Sequence, residues 1–136
     1  MEISTSKDDL PLISESVKLM INPLFEALPP ERRTVSNLQD ALDLALEGWN
    51  LQIAFGDDRE GLGEELATRS ARFIGRGLAA ETGRQLLELL MERKRKLFPN
   101  DDRMLMKVEA FEGENGLDVM VIWGRYAKVQ RRRRGH

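Results

Sequence analysis

The C-terminal part of the chain decides the fold: MLMKVEAF at residues 104–111, GENG at residues 113–116 and LDVMVIWGRY at residues 117–126. The two outer runs are rich in apolar residues, and Asn-Gly between such runs is the strongest short-range signal for a β-hairpin. An isolated hairpin is only marginally stable in water, because it cannot bury its own apolar surface. The sequence therefore predicts a hairpin that packs against the rest of the molecule or against a second copy.

The register of this hairpin follows from its turn. With Asn115 and Gly116 as the two turn residues, Ala110 faces Val121 and Val108 faces Trp123. One sheet face then carries only apolar side chains, those of Met106, Val108, Ala110, Val119, Val121 and Trp123. The other face carries Phe111, Met120, Ile122 and Tyr126, together with Lys107 and Glu109. A strand exposed to water on one side should alternate polar and apolar residues, and the second strand does not. We therefore expect the second face and both open edges to require a third strand or a partner.

Residues 9–98 are predicted to form a small bundle of four or five helices. The segment DLP at residues 9–11 is typical of a helix start, and apolar residues then recur at helical spacing up to Leu28. Pro23 lies within this pattern and is expected to kink or restart the helix, because proline lacks a backbone donor.

The second helix is predicted from a capping box, SNLQ at residues 36–39, with Ser36 as the cap and Gln39 reaching back to it. Trp49 lies in an apolar stripe at four-residue spacing and is predicted to be a core anchor. Four polar residues are predicted to lie outside this stripe: Asp40, Asp43, Glu47 and Asn50.

The region that follows is predicted to contain two helices, at about residues 62–80 and 83–97, which meet at a bend. A second capping-box match at residues 82–85 supports the break. Small residues recur every four positions at Ala67, Ala71, Gly75, Ala79 and Gly83, a ridge that another helix could approach closely, within the chain or across a dimer. Three arginines on another face, Arg69, Arg72 and Arg76, are expected to be solvated.

Length and composition fit one soluble α+β domain that covers all 136 residues. Its predicted parts are a loose N-terminus at residues 1–8, the helical region, a hairpin at residues 103–129 and a disordered basic tail at residues 130–136. Without the four tail arginines the net charge changes from −2 to −6, so the body is mildly acidic. No signal peptide or run long enough to span a bilayer is present, and a cytoplasmic location without membrane contact is expected.

The sequence argues against the common catalytic groups. Cysteine is absent, which excludes disulfides and thiolate chemistry, and the single histidine is the last residue, His136. The segment GRGLAA at residues 75–80 has the letters of a dinucleotide fingerprint but follows a predicted helix rather than a strand. We therefore expect no enzyme activity, no catalytic residues, no cofactor and no metal site.

Two alternatives remain open at this stage. The acidic segments Asp57-Asp58 and Asn100-Asp101-Asp102 could hold a divalent cation in a carboxylate-dependent enzyme, although both positions also suit turns and caps. Basic residues could contact nucleic acid: Arg93, Lys94, Arg95 and Lys96 at a helix end, and Arg131, Arg132, Arg133 and Arg134 in the tail. The acidic body disfavours that reading.

The leading hypothesis is a non-enzymatic interaction or accessory protein that forms a homodimer through its C-terminal hairpin. Its predicted contact residues are Phe111, Met120, Ile122 and Tyr126. A two-fold axis could pair the second strand with its own copy, which would produce a four-stranded sheet. A different protein partner is compatible with the same surface.

Overall fold

The computed structural model of the chain describes residues 12–56 and 58–125. Within these residues, four helices are followed by one antiparallel hairpin, which confirms the predicted α+β class. The helices are α1 (Ile13–Glu26), α2 (Val35–Phe55), α3 (Leu62–Ala71) and α4 (Ala80–Leu97), with short 3-10 turns at Pro30–Arg32 and Ile74–Arg76. The strands are β1 (Arg103–Gly113) and β2 (Gly116–Arg125). The predicted loose N-terminus and basic tail lie outside the described residues.

Helix α1 continues through Pro23 to Glu26, so the predicted restart is wrong. Proline at this position cannot donate to the carbonyl of Leu19, one turn earlier. The side chain of Arg93 from α4 supplies donors here instead: its Nη2 lies 2.6 Å from the Leu19 carbonyl oxygen, and its Nε lies 2.9 Å from that of Met20. A long-range hydrogen bond therefore takes the place of the one that proline removes.

Helix α2 is the centre of the core. It begins two residues earlier than the capping box predicted, because the Thr34 side chain, not that of Ser36, caps it and accepts from the Asn37 N–H at 3.2 Å. Trp49 is fully buried, as predicted. The most buried apolar side chains around it come from α1, α2, α3 and α4: Val17, Met20, Leu42, Leu51, Leu66, Leu87 and Leu90.

The bend between α3 and α4 comes earlier than predicted, since α3 ends at Ala71 and α4 begins at Ala80. Gly77 has φ of 87°, a left-handed conformation that suits glycine and lets the chain reverse. The predicted ridge of small residues is therefore interrupted, and four of its five members are exposed: Ala67, Ala71, Gly75 and Ala79. The fifth member, Gly83, is buried, and an added Cβ there would lie 3.2 Å from the Ser70 Cβ of α3. A closer helix approach occurs at Gly48 of α2, where an added Cβ would lie 2.7 Å from the Leu90 Cβ.

The hairpin register differs from the prediction by two residues. Gly113 pairs with Gly116, so the turn residues are Glu114 and Asn115, and Ala110 faces Val119 instead of Val121. Among the described residues only glycines have positive φ, and Gly116, at 111°, takes the conformation that the prediction required at Asn115. A two-residue slip keeps each side chain on its face, which is why the inner face is still largely as predicted.

A β-bulge at Met106 changes the base of the hairpin. The register shift lies between Leu105 and Lys107, and the extra residue is Met106. Leu105 is buried in the core in its place, whereas Met106 is 64% exposed beside Gly124. The predictions that Met106 and Trp123 belong to a covered face are therefore wrong, since Trp123 is also 40% exposed.

Ion pairs join α3 and the following turn to α2. Arg72 and Arg76 are exposed, as predicted, but both, together with the half-buried Arg69, bind carboxylates of α2. Glu47 is 8% exposed and accepts hydrogen bonds from Arg69 and, at 2.9 Å, from Arg72. Arg76 bonds Asp43 at 2.5 Å and Asp40 at 3.2 Å. Burying a carboxylate is tolerated here because two guanidinium groups satisfy it.

Candidate functional site on the hairpin

The inner face of the hairpin packs against α2 and completes the core. Leu105, Val108 and Ala110 of β1 and Val119 of β2 are all under 9% exposed. Alternate residues of a strand point to opposite faces, so these four positions leave the intervening residues on the outside. The sheet thus has one covered face, as the sequence predicted.

The outer edge of β1 is closed by side-chain amides of α2. Asn50 donates from Nδ2 to the Leu105 carbonyl at 2.9 Å and accepts from the Leu105 N–H at 2.8 Å. Gln39 donates from Nε2 to the Val108 carbonyl at 3.1 Å and accepts from the Ala110 N–H at 2.7 Å. Each amide presents one donor and one acceptor, as a neighbouring strand would. The expectation that both edges of the hairpin are open is therefore wrong for β1.

The two amides match the strand in spacing as well as chemistry. Gln39 and Asn50 lie eleven residues apart, which is about 16 Å along one face of a helix. That distance corresponds to about five residues of a β-strand. The spacing of these amides is the sequence signal for the contact, but the sequence prediction assigned Gln39 to a capping box and placed Asn50 outside the apolar stripe. Asn50 is in fact 8% exposed.

The start of β1 is fixed by a buried charged cluster. Trp49 donates from Nε1 to the Arg103 carbonyl at 2.5 Å, and Lys94 donates to the carbonyls of Phe98 and Asp101, both at 2.6 Å. Burial lowers the pKa of Lys94. Burial opposes ionisation of Asp101 too, but hydrogen bonds from Arg103 outweigh it and hold the pKa of that carboxyl below its usual value. The Asp101–Arg103 ion pair therefore fixes the turn before β1.

The outer edge of β2 is different. In an antiparallel pair, residues opposite each other either bond one another or both direct their backbone groups away from the partner strand. Three residues of β1 direct backbone groups to α2, namely Leu105, Val108 and Ala110. The residues opposite them in β2 are Trp123, Val121 and Val119, respectively. These three residues therefore direct their own N–H and C=O groups to the outer edge of β2.

Only part of this β2 edge is satisfied from within the chain. The N–H of Val119 donates to the neighbouring Asp118 carboxylate at 2.8 Å, and that carboxylate also lies 2.8 Å from Lys18 Nζ of α1. The hydrogen bond from Lys18 lowers the pKa of Asp118. No side chain within residues 12–56 and 58–125 makes a hydrogen bond to the backbone of Val121 or Trp123. The edge is therefore open from Val121 onward across the described residues.

The outer face of the hairpin carries the predicted contact residues. Phe111 is 40% exposed and Ile122 is 49% exposed, while Met120 is half-buried. Lys107 and Glu109 lie on the same face, opposite Ile122 and Met120 in the register. Tyr126, the fourth predicted residue, lies outside the described residues. The structure thus brings Phe111, Met120 and Ile122 to one face next to the open edge of β2.

The predicted basic patch on α4 does not form one surface. Arg93 is bonded to α1 carbonyls and Lys94 is buried, so neither guanidinium nor ammonium group projects freely from the helix. Arg95 and Lys96 both lie close to Glu92, at 2.5 Å and 3.5 Å. The nucleic-acid hypothesis therefore depends mainly on Arg131, Arg132, Arg133 and Arg134, which lie outside the described residues.

The acidic pairs are used locally. Asp101 is paired with Arg103, Asp102 with Arg125, and Asp58 accepts from the Glu60 N–H at 3.0 Å. Asp57 lies outside the described residues. A search of residues 12–56 and 58–125 finds no group of three or more His, Cys, Asp or Glu side chains arranged to hold a metal ion. The structure therefore gives no support to the metalloenzyme hypothesis.

Two concave regions lie on the helical side of the molecule. A polar cleft of about 390 Å³ contains the ion pairs Arg59–Glu88 and Arg95–Glu92. An apolar groove of about 340 Å³ is lined by side chains of α1, α2 and α4 and of the turn between α1 and α2: Leu24, Leu28, Arg32, Asn37, Ala41, Leu44 and Leu86. Of the residues that the sequence predicted as functional, Arg95 alone lines either of these two concavities.

Comparisons with family models, curated proteins and solved structures found no match to this chain. The helices in the described part of the chain are also too short or too polar to cross a membrane. Any functional conclusion must therefore come from the geometry of the hairpin.

Proposed function

We propose that this chain is a non-enzymatic cytoplasmic interaction protein that forms a homodimer through its C-terminal hairpin. The observation that carries the proposal is the contrast between the two sides of the sheet. Its inner face is buried by α2, whereas its outer face exposes Phe111 and Ile122. Beside them runs the edge of β2, where no side chain of residues 12–56 and 58–125 bonds the backbone of Val121 or Trp123. Exposed apolar residues that cluster on a sheet beside a free edge are typical of an interaction surface.

The size and chemistry of the exposed cluster support this proposal. Four of the nine large hydrophobic side chains that are exposed in the described residues lie on the hairpin: Met106, Phe111, Ile122 and Trp123. The remaining five are distributed over α1, α4 and the turn after α3, without a backbone edge beside them. The hairpin therefore combines apolar area with hydrogen-bonding groups, the combination used in strand-to-strand association.

Static light scattering of wild type and Ile122→Asp at micromolar concentration tests the proposal. Wild type should have twice the mass of one chain, and Ile122→Asp should have the mass of one chain, because a carboxylate is costly in an apolar contact. Leu89→Asp is the matched control: Leu89 is 42% exposed on α4, close to the 49% of Ile122, and its variant should remain a dimer. A monomeric wild type at this concentration would remove the proposal.

A further inference from the structure

We propose that the second copy binds along the outer edge of β2, antiparallel to it, so that the two hairpins form one continuous four-stranded sheet. The strand order would be β1-β2-β2-β1, with the two-fold axis between the β2 strands. This inference rests on the proposed homodimer and specifies how its contact is made. In this arrangement the two copies associate by backbone hydrogen bonds between their β2 edges. The alternative arrangement would pack the outer face of one hairpin on that of the other.

The first argument is that, within the part of the chain that the structure describes, the sheet has only one usable edge. Side chains of Asn50 and Gln39 occupy the edge of β1, so a third strand has no free backbone groups to pair with there. The edge of β2 is open at Val121 and Trp123. A sheet with one open edge stops growing once two copies have joined, because the contact is the same patch on both copies. Binding of a second copy therefore leaves no open edge of β2 on either molecule.

The second argument fixes the register at Ile122. Antiparallel pairing about Ile122 places Val121 opposite Trp123 of the second copy, and both of these residues direct N–H and C=O groups to this edge. Each such pair makes two hydrogen bonds, and the two-fold axis doubles the pair, so four hydrogen bonds form. Pairing about Val121 would instead require the N–H of Val119, which Asp118 already occupies.

The third argument comes from the side chains on the outer face. In this register Ile122 lies opposite its own copy in a non-hydrogen-bonded pair, where side chains are closest, and its 49% exposed surface becomes covered. Met120 lies opposite Gly124 of the second copy, which has no side chain to obstruct it.

Charge also favours the antiparallel direction. The segment from Val119 to Gly124 is uncharged, with Asp118 at one end and Arg125 at the other. Antiparallel pairing brings the acidic end of one copy to the basic end of the other, whereas parallel pairing would bring like charges together.

Disulfide formation tests the register, because the chain has no native cysteine. Ile122→Cys places two thiols across the two-fold axis, in the pair type whose Cα separation of about 4.5 Å allows a disulfide. Under mild oxidation this variant should form a covalent dimer at least about tenfold faster than Leu89→Cys, which depends on random collision. Phe111→Cys should also be slow, because four-stranded pairing holds the two β1 strands about 14 Å apart.

Amide hydrogen exchange of the unmodified protein provides the second measurement. The N–H groups of Val121 and Trp123 should become more protected as protein concentration rises, while those of Leu105 and Ala110 should be protected at all concentrations. A dimer by mass without this protection, or with Phe111→Cys cross-linking faster than Ile122→Cys, would overturn edge pairing and leave the proposed homodimer intact. A monomeric wild type would instead overturn the homodimer itself.

Discussion

The two strands of the hairpin pair with each other over their whole length, yet they differ at their outer edges. β1 is bonded to α2 by Trp49, Asn50 and Gln39, and its inward side chains are part of the core. β2 is held mainly by β1 and by the contact of Lys18 with Asp118, and half of the Ile122 side chain is exposed. β1 is thus bonded on both sides within the domain, whereas β2 forms the edge of the sheet.

This difference indicates a division of roles within one short motif. The closed edge stabilises the fold, since backbone groups that would be costly to bury unpaired are bonded to a helix. The open edge contributes less to the fold and has the hydrogen-bonding groups that the proposed dimer would use. Substitutions on the β1 side should therefore change the free energy of unfolding. Substitutions on the β2 side should instead change the mass in solution, by changing the proportion of dimer.

The largest expected difference is between two aliphatic truncations. Leu105→Ala should lower the free energy of unfolding by about 2–5 kcal/mol, because it empties a buried site. Ile122→Ala should lower it by about 1 kcal/mol, because much less apolar area is lost from the monomer. Leu105 is 2% exposed, against 49% for Ile122. Urea unfolding at concentrations low enough to keep the protein monomeric, followed by tryptophan fluorescence, measures both values.

Equal losses from these two truncations would contradict the division of roles. They would show that β2 is as deeply integrated in the monomer as β1. Higher protein concentration is a useful control, because a dimer is stabilised by mass action and Ile122→Ala should then become the more sensitive variant.

The next effect concerns the amides that close the β1 edge. Asn50→Ala should lower the free energy of unfolding by about 2–4 kcal/mol, because it leaves the buried N–H and C=O of Leu105 unpaired. Gln39→Ala should cost less, since Gln39 is half-buried and water can replace its contacts. Urea midpoints of both variants give the comparison. If Gln39→Ala proved the more damaging, the closure of the edge would depend on the end of β1 near the turn.

Periodicity in the sequence was sufficient to predict the helices and the hairpin. Apolar spacing placed Trp49 in the core. The apolar side chains that the predicted hairpin gathers on one face predicted that this face is covered, because burial selects apolar residues. Phe111 and Ile122 are exposed within this chain, on the face that the sequence predicted to require a third strand or a partner. These features depend on neighbours within one element, which a sequence shows directly.

Features that depend on distant partners were missed. Gln39 fits a capping box, but its amide bonds Val108 and Ala110, 69 and 71 residues away. An amide has the same donor and acceptor in either role, so only the position of the strand decides between them. The arginine that replaces the donor missing at Pro23 lies similarly far along the chain. The hairpin register was missed for a local reason, since Gly116 and not Asn115 takes the positive φ.

A moderate effect on stability is expected for substitution of Lys94, whose side chain bonds the turn that precedes β1. Lys94→Met should lower the free energy of unfolding by about 1–3 kcal/mol at neutral pH, because the carbonyls of Phe98 and Asp101 lose a donor. The loss should appear in urea unfolding without any change in dimer mass, since this cluster supports the closed edge.

The pH dependence of Lys94 provides a further measurement. Burial lowers its pKa in the folded state, so between that pKa and the unfolded value of about 10.4 the unfolded chain binds more protons. The free energy of unfolding contributed by Lys94 therefore rises with pH through this window, and neutral Lys94 still has two N–H groups for its two carbonyls. The difference in stability between wild type and Lys94→Met should widen as pH rises toward 10; a narrowing would show that Lys94 is stabilised in its charged form.

The smallest effect on stability is expected at the bulge. Met106→Lys should change the free energy of unfolding by no more than about 0.5 kcal/mol, because Met106 is 64% exposed and its side chain is not part of the core. Urea unfolding and light scattering should both give the wild-type result, since Met106 belongs to β1 and lies two strands away from β2 of a second copy in the edge-paired dimer. A loss of dimer mass with unchanged stability would mean that the second copy covers the outer face of the sheet. The exposed side chains of β1 would then share with β2 the role of binding the partner.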